Sequence, residues 1–437
     1  MDKSEGSPNK WPMVSNRISA ASGLLLLVVA VVGGCDVFDV NNPGPQPDDA
    51  LNSPEAHEAV VAGAKRAYSN ALAPIAMVTG SVTREIFPSG NTGRFGITVD
   101  EGQGRLEPDE ASSYWDSAQN ARWVAKDAVE RFSEVMSESE FQSSELVAEA
   151  YLWAGLANRL LGENFRRAIF DAGEPQPRTA YLDSAEQQLT TAISIAESAG
   201  ASEIRTASQA ARATVRMDLG DWENAVSDAT SIPDGFSFQA PYFNVSEDQY
   251  NYVYWASANA PYRGHSVWNT PYRSYHEETG DPRVAWGEDP EFPTGSTARE
   301  CCGQVPWLYQ KKYESTSADI DIVDKREMRL IEAENLLRQG EWQDALDIVN
   351  QLRSDTGVDP VSASSLEEAW TLFRRERGIE LWLEGRRMND LRRWQEADRP
   401  GTLHPLEDPS NPNSFLDPDR DLTFPIPDSE RETNPNL

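Results

Sequence analysis

The chain has 437 residues, 71 acidic against 39 basic, a net charge of -32 and a mean hydropathy of -0.58. That balance excludes nucleic acid and a bare anionic membrane surface as principal partners, since both select clustered Lys and Arg. The length allows a core that needs neither disulfide nor structural metal, and 13 Trp, 13 Tyr and 14 Phe argue against disorder.

Lys3, Lys10 and Arg17 precede an apolar run from Ile18 to Val32. The run is shorter than the ~20 residues of a membrane span and has the length of a secretory signal core. It ends Val31-Val32-Gly33-Gly34-Cys35, which resembles a bacterial lipoprotein box. The resemblance implies that residues 1–34 are removed and that Cys35 is acylated, with two or more chains giving stable anchoring. Residues 35–52 read as a lipidated tether, proline-rich at Pro43, Pro45 and Pro47 and without helical or strand period.

Residues 53–437 read as mainly α-helical with little β structure. Ser53-Pro54-Glu55 supplies an N-cap, a proline at the first helical position and an early acid, opening a helix through about Leu72. Further helical windows fall at about 110–136, 144–162, 178–199, 203–218, 222–230, 325–339, 341–354 and 365–395. Three junctions are alike: Leu161-Gly162-Glu163-Asn164-Phe165 with Ala168, Gly220-Asp221-Trp222 with Ala225, and Gly340-Glu341-Trp342 with Ala345. Glycine at a tight turn and alanine at a close helix approach resemble tetratricopeptide (TPR) helix pairs. The expected architecture is a TPR-like stack, with units at about 144–230 and 325–395.

Residues 232–310 break the pattern. Phe236 to Trp286 holds 13 aromatic residues in 51, against 9% in the whole chain, interleaved with Pro, Gly and Asn. A long irregular stretch inside a compact body is either functional or disordered, and this aromatic content favours function. It reads as an excursion resting on the helical stack.

The last third carries a family resemblance. REMRLIEAENLLRQGEWQDALDIVNQLRSDTG from Arg326, FRRERGIELWLEGRRMNDLRRW from Phe373 and the closing LTFPIPDSERETNPNL resemble, in that order, the SusD/RagB family. These are surface lipoproteins that bind nutrients, usually glycans. The segment from Tyr114-Trp115 to Asn120, the lipoprotein box and the junctions fit the same layout. The resemblance implies a non-enzymatic, lipid-anchored outer-membrane protein at the cell surface. It would capture oligosaccharide and pass it to a SusC-like TonB-dependent transporter. RagB-type relatives implicate peptide as another ligand, and a TPR scaffold lipoprotein for envelope assembly is the alternative of a different class.

Sugar rings are apolar on their faces and polar at their edges, so a glycan site pairs aromatic platforms with amide and guanidinium donors. The excursion offers Trp255, Tyr262, Trp268, Tyr272 and Trp286 beside Asn259, Arg263 and Asn269, with the three indoles as first choices. Many of these rings can equally form the excursion's own small core. Cys301 and Cys302 form an adjacent pair in an oxidising compartment, read either as a vicinal disulfide or as two thiols. As a disulfide the pair is a sugar-stacking surface or a turn lock. In the signature helix, Leu366, Leu372, Ile379 and Leu383 form a core stripe with Glu376 at its edge, so Glu376 needs a cation. Arg377, Arg386 and Arg387 are candidates, and Glu376, Glu380, Arg377 and Arg386 read as ion-paired scaffold rather than catalytic acids.

No cofactor or metal is expected. His57, His265, His276 and His404 are far apart, and Asp417, Asp419 and Asp421 lack the sixth-position glycine and twelfth-position glutamate of a calcium loop.

Overall fold

The computed structural model describes residues 48–90 and 97–437. The leader (1–34), Cys35 and the spacer up to residue 47 lie outside the described residues. The body, Leu51–Leu437, is one compact unit. No described helix is long and apolar enough to cross a membrane.

Two 3-10 segments, Asp48–Asn52 and Pro54–Ala56, lead into α1 (His57–Val82). The helix runs past the expected end near Leu72, with Pro74 inside it. From Ala71 to Val82 every residue but Pro74 is buried. Packing on all sides outweighs the amide that the proline removes. Around α1 stack α2 (Ser112–Val135), α3 (Glu145–Asn164), α4 (Thr179–Ala199), α5 (Ser202–Leu219) and α6 (Trp222–Thr230). Each helix packs on the next, the antiparallel succession of a TPR-like stack.

The three junctions are not equivalent. Gly220 and Gly340 cap their helices with φ of 82° and 88°, the left-handed conformation glycine adopts without strain. Gly162 instead lies inside α3, where a Cβ would stand 2.7 Å from Leu182 Cδ2; at Gly155 it would stand 2.6 Å from Leu189 Cγ. There the missing side chains let α4 lie close to α3. The extra residue in that junction moves the glycine from the turn to the packed face.

Residues 231–324 leave the stack and return to it through a neck, Ser237–Ala240 paired antiparallel with Ile320–Asp324. The excursion is less irregular than its sequence suggests, and contains α7 (Tyr252–Ser257) and α8 (Pro271–Thr279). Across the neck, α9 (Lys325–Gln339) packs against α5 and α6 as the next member of the stack. The Arg338 guanidinium lies 4.1 Å over the ring of Trp222. α10 (Trp342–Asp355) and α11 (Leu366–Glu380) follow.

The window 365–395 is two helices. α11 stops at Glu380, and α12 spans Arg387–Glu396. Between them Leu383 has φ of 60° and Gly385 of 76°. The break serves the turn that follows α1: the Leu383 N–H donates to Glu85 Oε1 at 2.9 Å and Trp382 Nε1 to the Glu85 carbonyl at 2.8 Å. The expected core stripe holds only in part: Ile379 and Leu383 are buried in the core. Leu383 lies beyond the helix, Leu366 and Leu372 are half-buried, and Trp370, Phe373 and Arg377 fill the core instead.

Candidate functional site

The eight excursion residues expected to bind ligand do not form one surface. Trp255 is 4% exposed and packs edge-on against Tyr250 and Tyr262, so it is a core residue, not a platform. Trp268 is half-buried between Phe87 (5.0 Å) and Phe415 (6.3 Å). Trp286 is half-buried elsewhere, against His276 and Arg273.

Arg263 and Asn269 hold positive φ and secure their loops: Arg263 Nε donates to the Thr294 carbonyl at 3.1 Å, Asn269 Nδ2 to that of Asn413 at 2.9 Å. Asn259 is half-buried, and its carbonyl accepts from the Tyr262 and Arg263 N–H groups. The Arg263 and Asn269 side chains, already engaged by backbone carbonyls, have little left for a ligand.

Cys301 and Cys302 are placed as a disulfide. The pair sits within a tight turn closed by the Gly303 N–H on the Arg299 carbonyl at 2.8 Å. Cys301 shares a small crevice of about 20 Å³ with Phe87 and Phe415. That volume holds about one water molecule, not a sugar.

Tyr272 leads to a larger concavity. It is buried, stacked on Trp382 at 5.5 Å. With Tyr275 it walls a cavity of about 280 Å³ between α8, α11 and the loop 402–407. Such a volume is near the lower end of ligand pockets, ~300–1,000 Å³. Thr270 caps α8 and Pro271 begins it, fixing the helix at the rim. Leu372 and Ile379, assigned by sequence to the core, supply the apolar wall. Gly378 gives Tyr272 its place, since a Cβ there would lie 2.8 Å from the Tyr272 hydroxyl and 3.1 Å from Arg387 Nη1.

Buried ion pairs hold these walls. Glu376 is paired with Arg283 (2.6 Å) and Arg353 (2.9 Å). None of the three arginines proposed from sequence is its partner. Arg377 pairs with Asp390 (2.7 Å), Arg386 with Glu163 (2.8 Å) and Arg387 with Glu407 (2.7 Å). Burial opposes ionisation of Arg283, but Asp281, Glu376 and Glu380 outweigh it and raise its pKa. Glu380 is shared by Arg283 (2.6 Å) and Arg326 (3.2 Å). Arg283 belongs to the excursion, so the pairing fixes the excursion to α11. Arg353 also donates to the Tyr275 hydroxyl at 2.6 Å, extending the chain of charges to the cavity wall.

Arg374, Arg375, His404 and Glu407 complete the lining. Arg387 Nη1 donates to the Arg374 carbonyl at 2.6 Å while its Nε holds Glu407 at 2.8 Å. Tyr275, Arg374, Arg375 and His404 are not among the site residues expected from sequence. Their helical part was visible: Thr371, Leu372, Arg375 and Ile379 share a face at helical spacing. The contribution of His404 follows only from the tertiary fold. Away from the cavity, Asp417 and Asp421 of the acidic turn are engaged by Arg105 (3.2 Å) and Arg166 (3.0 Å).

Residues 326–437 match the model of the SusD family. Among solved structures, a SusD homolog from Bacteroides thetaiotaomicron is similar with a TM-score of 0.63 at 14% identity, over 89% of this chain and 96% of its own. A SusD-like carbohydrate binding protein from Bacteroides vulgatus gives 0.60 at 15%, over 88% and 97%. A SusD/RagB family protein from Bacteroides thetaiotaomicron gives 0.63 at 14%, over 86% and 94%. At such identities the likeness establishes the fold. No curated protein matches the chain.

Proposed function

Residues 326–437 carry the SusD family signature on a SusD-like fold, and from that premise we propose a nutrient-binding surface lipoprotein. It captures oligosaccharide without cleaving it and delivers it to a SusC-like TonB-dependent transporter. The observation that carries the ligand assignment is the cavity of about 280 Å³ bounded by α8, α11 and the loop 402–407. It combines aromatic and aliphatic walls with guanidinium and imidazole donors, the mixture a sugar needs. Trp268, half-buried against Phe87 and Phe415, is proposed as a secondary contact for a longer chain. The anchoring at Cys35 and the outer-membrane location rest on the lipoprotein box.

The non-enzymatic reading is supported by how the carboxylates are used. Glu407 is held by Arg387, while Glu376 and Glu380 are buried in ion pairs. A glycosidase needs two carboxyl groups facing the scissile bond across an open site.

The test is calorimetric titration of the mature chain with neutral and acidic oligosaccharides and with short peptides, alongside a reducing-sugar assay. Expected is saccharide binding with no sugar release, abolished in Leu372→Trp, which fills the cavity from its half-buried wall. Peptide binding alone would favour the RagB-type alternative, and sugar release would defeat the non-enzyme reading. Affinity purification from membranes should recover a large barrel protein; envelope-assembly factors in its place would favour the scaffold.

A further inference from the structure

The cavity's charge runs against that of the chain. The whole sequence carries a net charge of -32, yet α11 brings Arg374 and Arg375 side by side to the cavity. Among the described residues, neither is in an ion pair with a carboxylate. Arg375 is exposed, its guanidinium 5.1 Å over the ring of Tyr275. Arg374 is only 8% exposed. Its Nη2 donates to the Arg399 carbonyl at 2.7 Å, and its Nε has no hydrogen-bond partner.

The Arg374 guanidinium lies 5.2 Å over the Trp394 ring and feels Glu334 and Glu407 without pairing directly with either. A buried guanidinium with no directly paired carboxylate is costly, and natural folds keep few of them without a use. Burial, then repulsion from Arg387, pulls the Arg374 pKa down to about 10. Arg387 does not share the vacancy, because Glu407 neutralises it at 2.7 Å. The remaining acid of the lining is Glu278, exposed on α8. Two cations therefore face one solvated carboxylate above an apolar wall of Leu372 and Ile379. Such a wall takes the face of a ring, and a pair of forked donors takes an oxyanion.

We propose that the ligand is an acidic saccharide, a sugar ring bearing a carboxylate or a sulfate, whose oxyanion is received by the Arg374–Arg375 pair while its apolar face rests on Leu372 and Ile379. The proposal rests on the saccharide-capture reading and adds the chemical class of the sugar.

The test uses the mature chain and calorimetry at fixed ionic strength. The probes are oligogalacturonate, oligomannuronate and a chondroitin sulfate fragment, each beside its carboxyl-reduced or desulfated counterpart, with neutral malto-, xylo- and galacto-oligosaccharides. Expected is binding of an acidic member, weakened about tenfold or more when its oxyanion is removed. Arg375→Met, at an exposed position, should keep the parental melting temperature and lose the same factor for the acidic ligand, more than for any neutral one. The carboxylate and sulfate arms tell which oxyanion is taken. Equal affinity for charged and neutral members, or an Arg375→Met variant that binds like the parent, overturns the acidic assignment and leaves saccharide capture standing. No binding by any member overturns both.

Discussion

Glu376 is 1% exposed and touches two arginines from different parts of the chain, Arg283 at 2.6 Å and Arg353 at 2.9 Å. Removing one partner of such a set leaves buried charge without compensation, which costs about 3–5 kcal/mol. Glu376→Gln should therefore lower the unfolding free energy by an amount of that order, read as a lower urea midpoint at unchanged slope, and an unchanged midpoint would contradict the pairing. Glu384 behaves differently. Burial lifts its carboxyl from the ordinary 4.5 to about 8, although Lys312 at 2.6 Å draws it down. Between those two values the folded chain holds a proton that the unfolded chain has released. The stability contributed by this group is thus present at low pH and lost as pH rises from about 4.5 to about 8. Glu384→Gln is neutral throughout. Its unfolding free energy relative to the parent should rise between pH 5 and pH 8 by on the order of a few kcal/mol. A difference independent of pH would show that Glu384 does not titrate in that window.

At the scale of elements, glycine sets how closely two pieces approach. A Cβ at Gly155 would reach 2.6 Å from Leu189 Cγ, in a contact between two packed helices with little freedom to yield. Gly155→Ala should cost about 1–3 kcal/mol by overpacking, despite alanine's better helix propensity. A stabilised variant would mean that α3 and α4 separate without penalty. Most helices were legible because their apolar spacing and caps agree with their packing, as in α9, which begins at the Asp324 N-cap and ends at Gly340. The splitting of 365–395 was not legible. Its cause is Glu85, nearly three hundred residues earlier in the chain, and no local signal reports such a partner. The excursion misled for a related reason. Irregular sequence with many rings describes equally a wet platform and a small core, and only the fold distinguishes Trp255, buried, from Trp268, half-open.

Over the whole molecule, the C-terminal signature closes the N-terminal half. Phe424 stacks on Phe165 at 5.0 Å, Trp115 Nε1 donates to Glu430 at 3.1 Å, and Asn434 Nδ2 reaches the Gly173 carbonyl at 3.0 Å. Arg386 joins Glu163 at 2.8 Å, from α3 to the far end of the chain. The signature is recognisable in sequence because it is structural: its charges must match partners throughout the body. The cavity draws on the same segment, yet only its α11 face could be foreseen, since α8 and the loop 402–407 meet it through tertiary packing alone. The most direct measurement is a crystal structure of the mature chain with its best-binding oligosaccharide. Expected is sugar density inside the cavity, with a ring on Leu372 and Ile379 and within reach of Arg375. Density confined to the surface around Trp268, with the cavity holding only solvent, would contradict that placement.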